Sequence, residues 1–192
     1  MRMSPSTMND TALDLLSRLK PKQLATILQE NSDEVYAHEI AHSLLWKETA
    51  LPQTTLELAT RIRNIVQPLI LSRYRVKTVE QLGKTKTMEL RKELDSTVAR
   101  TMQAIRIEVN GEFRVLEKLL CDLPHILAPG GRAVFLTFHS GEDRRVKKAF
   151  KTGFNNGIYS SWSRDVVRPS FGEMKLNPRS TCCKLRWVIR SD

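Results

Sequence analysis

What the chain lacks narrows it first. Its 192 residues include three cysteines, Cys121, Cys182 and Cys183, too few for a disulfide framework. The adjacent pair has no zinc-ligand spacing, and a reducing compartment is implied. No apolar run reaches the length of a membrane span. Met1-Arg2-Met3-Ser4-Pro5 carries no apolar core of a signal peptide. Internal repeats and low-complexity tracts are absent. Acidic residues are the other shortage: 21 Asp and Glu stand against 31 Lys and Arg, a formal net charge of +10. Residues 1–95 hold 14 basic and 12 acidic side chains, whereas residues 96–192 hold 17 and 9. The excess therefore lies in the second half, and a polyanion is the partner that such an excess suits. A merely solvated basic surface would look the same from charge alone.

The most informative stretch runs from Pro129 to Arg144. Pro129-Gly130-Gly131 stops what precedes it. Ala133 to Phe138 is nearly unbroken apolar sequence, short enough for a strand covered on both faces. Ser140, with Asp143 three residues on, reads as the cap of a helix running through Val146 to Phe150. A strand, a sharp turn and a helix start mark the place where open α/β sheets hold ligands. His139, Ser140 and Asp143 sit at that place.

Upstream the pattern is helical. Asn9 or Asp10 caps a first helix with Leu13, Leu15, Leu16 and Leu19 on its apolar side. Pro21 opens a second with Leu24, Ile27 and Leu28, a third covers about Glu34 to Lys47, and Thr54-Thr55 introduces a fourth. Gln67 to Asp95 has many cations and few apolar anchors and reads as a mobile basic segment. A fifth helix is expected over Ser96 to Val109, with Val98, Met102, Ile105 and Val109 on one side and Arg100, Gln103, Arg106 and Asn110 on the other. A sixth covers Glu112 to Leu123 before Pro124, burying Phe113, Leu116, Leu119, Leu120 and Leu123. Beyond the strand and helix, Gly153 to Arg164 reads as a loop and Asp165 to Arg168 as a short strand. Thr181 to Ile189 alternates, with Cys183, Leu185, Trp187 and Ile189 facing one way and Lys184 and Arg186 the other. Two clear strands are fewer than an open sheet usually has. The sheet looks incomplete, with an edge that another chain could cover.

Several motifs occur together in order: Met1-Arg2-Met3, Thr11-Ala12-x-Asp14, Gln103-Ala104-Ile105-Arg106-Ile107-x-Val109-Asn110-x-Glu112, Phe138-His139-Ser140-Gly141-Glu142-Asp143-Arg144-x-Val146-Lys147 and Asn177-Pro178-Arg179-Ser180-x-x-x-Lys184-Leu185-Arg186. Together they resemble the MraW/RsmH family of S-adenosylmethionine-dependent methyltransferases, which modify N4 of a cytidine in small-subunit ribosomal RNA. Gly157-Ile158-Tyr159-Ser160 and Arg168-Pro169-Ser170 resemble cyanobacterial and plastid versions most. The resemblance implies an α/β fold: a partial Rossmann-like methyltransferase sheet formed by its C-terminal strands, with an all-helical inserted domain. Residues 1–8 would be a remnant of the methyltransferase core, 9–110 the helical insert, and 111–192 the C-terminal part of the Rossmann-like domain. It also implies S-adenosylmethionine as cofactor and small-subunit ribosomal RNA or the ribosomal subunit as partner, with no membrane and no metal. The glycine-rich cofactor loop of the family has no counterpart, since its residues would lie upstream of Met1, so the isolated chain is expected to bind the cofactor weakly or not at all. The compartment would be a chloroplast or mitochondrion in a eukaryote and the cytoplasm in a bacterium. Oligomeric state is left open.

On that reading His139, Ser140 and Asp143 are the candidate catalytic residues of the substrate pocket. His139 would position a base taken out of its stack, or tie the strand to the next helix; Ser140 and Asp143 also suit a cap. The candidate RNA contacts are Arg100, Arg106, Asn110, Arg144, Lys147, Arg179, Lys184 and Arg186, joined by Arg145, Lys148, Lys151, Arg164, Arg168 and Arg190. Tyr159 and Trp162 could stack on bases or anchor a loop. Two other readings compete: a non-catalytic RNA-binding or ribosome-assembly factor derived from the family, and a zinc protease. The second rests on His38-Glu39-Ile40-Ala41-His42, an H-E-x-x-H match with no evident third ligand.

Overall fold

The structure, a computed structural model, describes residues 11–46 and 50–192. Met1-Arg2-Met3 and the expected Asn9 or Asp10 cap lie outside the described residues. The chain divides into two compact units, Met1–Asn110 and Gly111–Asp192. It is mixed α/β, mostly helical, with one small antiparallel sheet.

The first unit is built from helices. Thr11 caps α1 (Ala12–Arg18): its hydroxyl accepts from the Asp14 N–H at 3.1 Å, and the Asp14 carboxylate accepts from the Thr11 N–H at 2.7 Å. Pro21 opens α2 (Pro21–Ser32), which ends on Asp33 in the left-handed region. The third helix, α3 (Ala37–Leu44), is shorter than the sequence pattern predicts. Thr54 caps α4 (Thr55–Arg73) through the Glu57 N–H.

The expected mobile segment at Gln67 to Asp95 is corrected at both ends. Helix α4 continues through Pro68 to Arg73, because its buried row, Leu58, Ile62, Val66 and Ile70, keeps a four-residue step and runs on to Leu71. Helix α5 (Lys84–Asn110) begins well before Ser96. Its buried row is Leu90, Leu94, Thr97, Thr101, Ala104 and Ile105, so threonines fill positions where an apolar search finds nothing. Val98, Met102 and Val109 pack at the margin of this core instead. Polar bonds join the helices as well. The Tyr36 hydroxyl donates to Glu93 at 2.5 Å, and burial together with that carboxylate pushes the phenol up to about 12.

In the second unit Gly111, at φ +61, starts α6 (Glu112–Ile126), which carries Pro124 within it. Leu119, expected inside, is exposed on this helix. Strand β1 (Arg132–Thr137) leads into α7 (Ser140–Asn155), then β2 (Tyr159–Trp162), α8 (Phe171–Leu176) and β3 (Lys184–Arg190). The strand order is β1-β3-β2, and both pairings are antiparallel. The reading of β1 as a strand covered on both faces is therefore corrected. It is an edge strand that pairs with β3 from Arg132↔Ile189 to Thr137↔Lys184, and Val134 and Leu136 stand exposed on one face. The expected loop at Gly153 to Arg164 contains the end of α7 and the whole of β2. The expected strand at Asp165 to Arg168 shrinks to one bridge, Val167↔Leu185.

Helices α6 and α7 cover the other sheet face. Leu120, Leu123, Val146, Phe150, Tyr159 and Val188 form the buried cluster, with Ala133, Phe135 and Trp162 packed against it. The Phe150 ring meets Phe135 and Tyr159 edge to face at 5.5 and 6.0 Å. Tyr159 lies so close to Gly153 that a Cβ there would fall 2.4 Å from the ring, which is why α7 carries a glycine in its last turn.

Phe150 is fully buried at the centre of this cluster. Phe150→Ala is expected to destabilise the protein by about 3–5 kcal/mol, because the ring's packing is removed and a cavity is left behind. Urea unfolding followed by tryptophan fluorescence measures it.

Candidate functional site

The turn from β1 into α7 is the place the sequence singles out, and its cap sits one residue earlier than expected. His139, not Ser140, is the N-cap: its Nδ1 accepts from the Glu142 N–H at 3.4 Å, and Glu142 Oε2 accepts from the Phe138 N–H at 2.9 Å. The two residues thus close a reciprocal box, with an imidazole in the role that serine or threonine usually plays. With Nδ1 accepting, the ring proton of neutral His139 belongs on Nε2, 3.4 Å from Glu142 Oε1. Burial pushes the Glu142 carboxyl up, but its bonds to His139 and the Phe138 N–H outweigh this and hold it below the usual carboxylate range. The His139 ring leans on Phe113 at 5.7 Å, and the Arg145 guanidinium lies 3.5 Å over the same phenyl ring while pairing with Glu117 at 2.8 Å. Ser140 is exposed in the first turn of α7.

Asp143 faces inward. Its carboxylate accepts from Arg186 Nε at 2.6 Å and Nη2 at 3.3 Å, and Lys184 Nζ lies 3.7 Å away. The remaining face of the Arg186 guanidinium donates to the Ser163 and Arg164 carbonyls at 3.2 and 3.3 Å. Arg186 is only 4% exposed. Burial raises the Asp143 carboxyl, while Arg186 and then Lys184 lower it by more, so it stays below its ordinary value. The structure therefore brings together Asp143, Lys184 and Arg186, three residues the sequence picks out separately. It engages Arg186 with the protein's own oxygens. Arg190 is used similarly: its guanidinium donates to the Pro124 carbonyl and, at 2.6 Å, to that of Leu127, where the end of α6 leaves carbonyls without helical partners.

The outward side of α7 is different. Arg144, Lys147, Lys148 and Lys151 are all exposed and recur at three- and four-residue steps, opposite the buried Val146 and Phe150. They make one basic stripe. Arg179 is exposed in the short turn after α8. In the helical unit Arg100 pairs with Glu34 at 2.8 Å and donates to Thr97 at 3.0 Å, and the Asn110 amide donates to the Arg106 carbonyl at 2.8 Å.

The H-E-x-x-H segment falls on α3 with Ile40, Ala41 and Leu44 inward and His38, Glu39 and His42 outward. His38 Nε2 is 3.2 Å from the Gln29 amide nitrogen, and the His42 ring lies 5.1 Å from Trp46. Among the described residues no group of three or more His, Cys, Asp or Glu side chains is placed to hold a metal ion.

Sequence reasoning gave no role to Glu142 or Ser163, and it placed Phe113 in the core without its contact to His139. A His-x-x-Glu spacing at a strand end was the available signal for Glu142. Ser163, whose hydroxyl accepts from the Trp187 N–H at 3.0 Å, gave none.

The second unit thus combines an exposed basic stripe on α7 with a self-capped strand end, on a mixed α/β chain. Comparison with known families makes this specific: the MraW methylase family matches residues 1–191, and the chain belongs to that family. Ribosomal RNA small subunit methyltransferase H 1 of Agathobacter rectalis is 38% identical over 192 residues, covering 100% of this chain and 51% of the relative. Its namesake in Lachnoclostridium phytofermentans is 37% identical over 191 residues, covering 100% and 48%. Ribosomal RNA small subunit methyltransferase H 2 of Acholeplasma laidlawii is 36% identical, covering 99% and 51%. The chain spans about half the length of these relatives.

The Asp143 pair sets an acid limit. A carboxyl held low in the folded state adds stability that is complete above its unfolded value, near 4, and is lost as pH falls through the folded value. Asp143→Asn is expected to flatten the acid side of a plot of Tm against pH. Asp143→Ala, which strands the buried Arg186 charge, is expected to cost about 3–5 kcal/mol at neutral pH. Thermal unfolding between pH 3 and 7 reads both.

Proposed function

We propose that this chain serves as the helical and C-terminal part of an S-adenosylmethionine-dependent methyltransferase that modifies a cytidine amine of small-subunit ribosomal RNA. The family match across residues 1–191 carries the proposal, and the exposed stripe Arg144, Lys147, Lys148 and Lys151 supports an RNA substrate. In this reading the helical unit is an insert, and β1, β3 and β2 are the end of a Rossmann-like sheet.

The residues present do not fit the methyl donor. Among the described residues the strand-to-helix turn after β1 is closed by its own His139 and Glu142, and two carboxylates occupy the first turn of α7. Gly130 and Gly131 lie in the turn before β1, ahead of a strand and not of a helix. No step is therefore assigned to the cofactor on this chain. Its own residues act on the RNA. The stripe meets phosphates. His139 and the exposed Ser140 border the target base at the end of β1. Asp143 acts through Arg186, which fixes the Ser163 and Arg164 carbonyls on the same side of the sheet. The poor fit to the donor also favours a second reading for the chain by itself, as an RNA-binding or ribosome-assembly factor without transfer activity.

Titrating labelled S-adenosylmethionine onto the purified chain is expected to give no binding at micromolar concentration; micromolar binding would overturn the division of labour. For RNA, replacing Lys147, Lys148 and Lys151 by Gln is expected to weaken binding of a small-subunit RNA fragment. The slope of log affinity against log salt should fall by about 0.7–0.9 for each phosphate that is no longer neutralised. An unchanged slope would remove the stripe from the interface.

A further inference from the structure

The H-E-x-x-H face of α3 takes no part in the core, and the proposed function makes no use of it. The inward residues of α3, Ile40, Ala41 and Leu44, are buried, and the helix packs on α2 and α4. Its outward side chains are therefore carried on a fixed backbone. His38 and His42 are four positions apart, which puts them on one face one turn from each other, with Cβ atoms about 5–6 Å apart. Both are exposed. Both line one open cavity of about 760 Å³, whose other walls are Pro21 and Lys22 at the start of α2 and Glu39.

The two rings are held in a form that suits a ligand. Gln29 on α2 brings its amide nitrogen to 3.2 Å from His38 Nε2. An amide nitrogen only donates, so Nε2 accepts, and neutral His38 carries its proton on Nδ1. A ring nitrogen with its lone pair available is what a metal ion binds. His42 rests at a tilt against the Trp46 ring, 5.1 Å away, and that ring is 51% exposed. The charges at the cavity offset each other, since Lys22 opposes a cation and Glu39 favours one. Glu39 follows His38 directly and so projects about 100° further round the helix, beside the pair and not within it.

We propose that His38 and His42 form a two-imidazole chelate for one zinc ion, with water in its other positions. Imidazole suits zinc, nickel and copper, whereas magnesium and calcium take oxygen ligands. Zinc has no geometric preference from its d electrons, so it accepts a pair whose spacing is set by the helix alone. Among the described residues no third His, Cys, Asp or Glu side chain joins the pair. The site is thus an open surface clasp, without the three protein ligands of a protease centre. Bound across one turn, the ion braces a helix of eight residues and stabilises the folded chain. The proposal is independent of methyl transfer and of RNA.

The full chain, stripped of metal with a chelator, is titrated with zinc chloride by calorimetry and followed by thermal unfolding. One equivalent is expected to bind at submillimolar zinc and to raise Tm; magnesium chloride is expected to do neither. His38→Gln and His42→Gln should each weaken binding by about tenfold or more, because each removes one arm of the chelate. Both positions are exposed, and circular dichroism checks that the variants fold. Glu39→Gln should change affinity by less than about threefold, as expected for an exposed charge beside the ion. Cupric chloride gives a second readout, since copper quenches a nearby indole. Quenching is expected in the parent chain and should be lost both in Trp46→Phe and in the double histidine variant. Zinc binding that survives in the double variant places the ion elsewhere, on a thiol such as the exposed Cys182, and overturns the proposal. Absence of zinc binding in the parent chain overturns it as well, as does loss of binding in Glu39→Gln.

Discussion

A buried carboxylate and guanidinium, Asp143 and Arg186, tie the first turn of α7 to the middle of the central strand. Two ions removed from water at this depth are tolerated only with their remaining valences filled. The Ser163 and Arg164 carbonyls and the Lys184 ammonium complete the set. The arrangement fixes where α7 lies on the sheet, and with it the direction of the basic stripe, the place of His139 at the end of β1, and which side of β3 is covered. It also explains an inversion within β3. The side that carries cations is the protected side, and the side that carries leucine and tryptophan is the bare one.

That inversion shows how far a sequence can be read. The alternation from Cys183 to Ile189 was legible, because period two is a property of the strand alone. Which side turns inward was not, because it depends on Asp143, forty-three residues away. The helices opened by Pro21 and Thr54 were legible for a similar local reason: proline and threonine leave recognisable marks at helix starts. Helix α5 was half hidden, since Thr97 and Thr101 occupy buried positions that a search for apolar residues passes over. The glycines on either side of it, Gly83 and Gly111, were the better guide to its length. Strand β2 is four residues long with two serines, too short and too polar to declare itself.

The candidate site divides along the same line. Residues grouped by position at the strand end, His139, Ser140 and Asp143, do lie together, but their duties differ. His139 shapes the turn through Glu142, Asp143 anchors a strand, and Ser140 lies at the exposed surface of the first turn. Cations counted as one basic population differ in burial: Arg186 is buried and bonded in the sheet unit, Arg190 and Arg100 are partly buried and bonded, and Lys147, Lys148 and Lys151 stand exposed on α7. Charge composition reports the total, while only burial and partners show which part a polyanion could reach.

The strand order has a temporal consequence. Among the described residues, the backbone pairing of both outer strands is with β3, which follows them in the chain. During synthesis the helical unit has all its residues in hand long before the sheet has any pairing at all, and the sheet unit must wait for β3 to emerge. A nick or premature stop just ahead of Lys184 would not trim the sheet from one side. It would withdraw the strand through which β1 and β2 are joined.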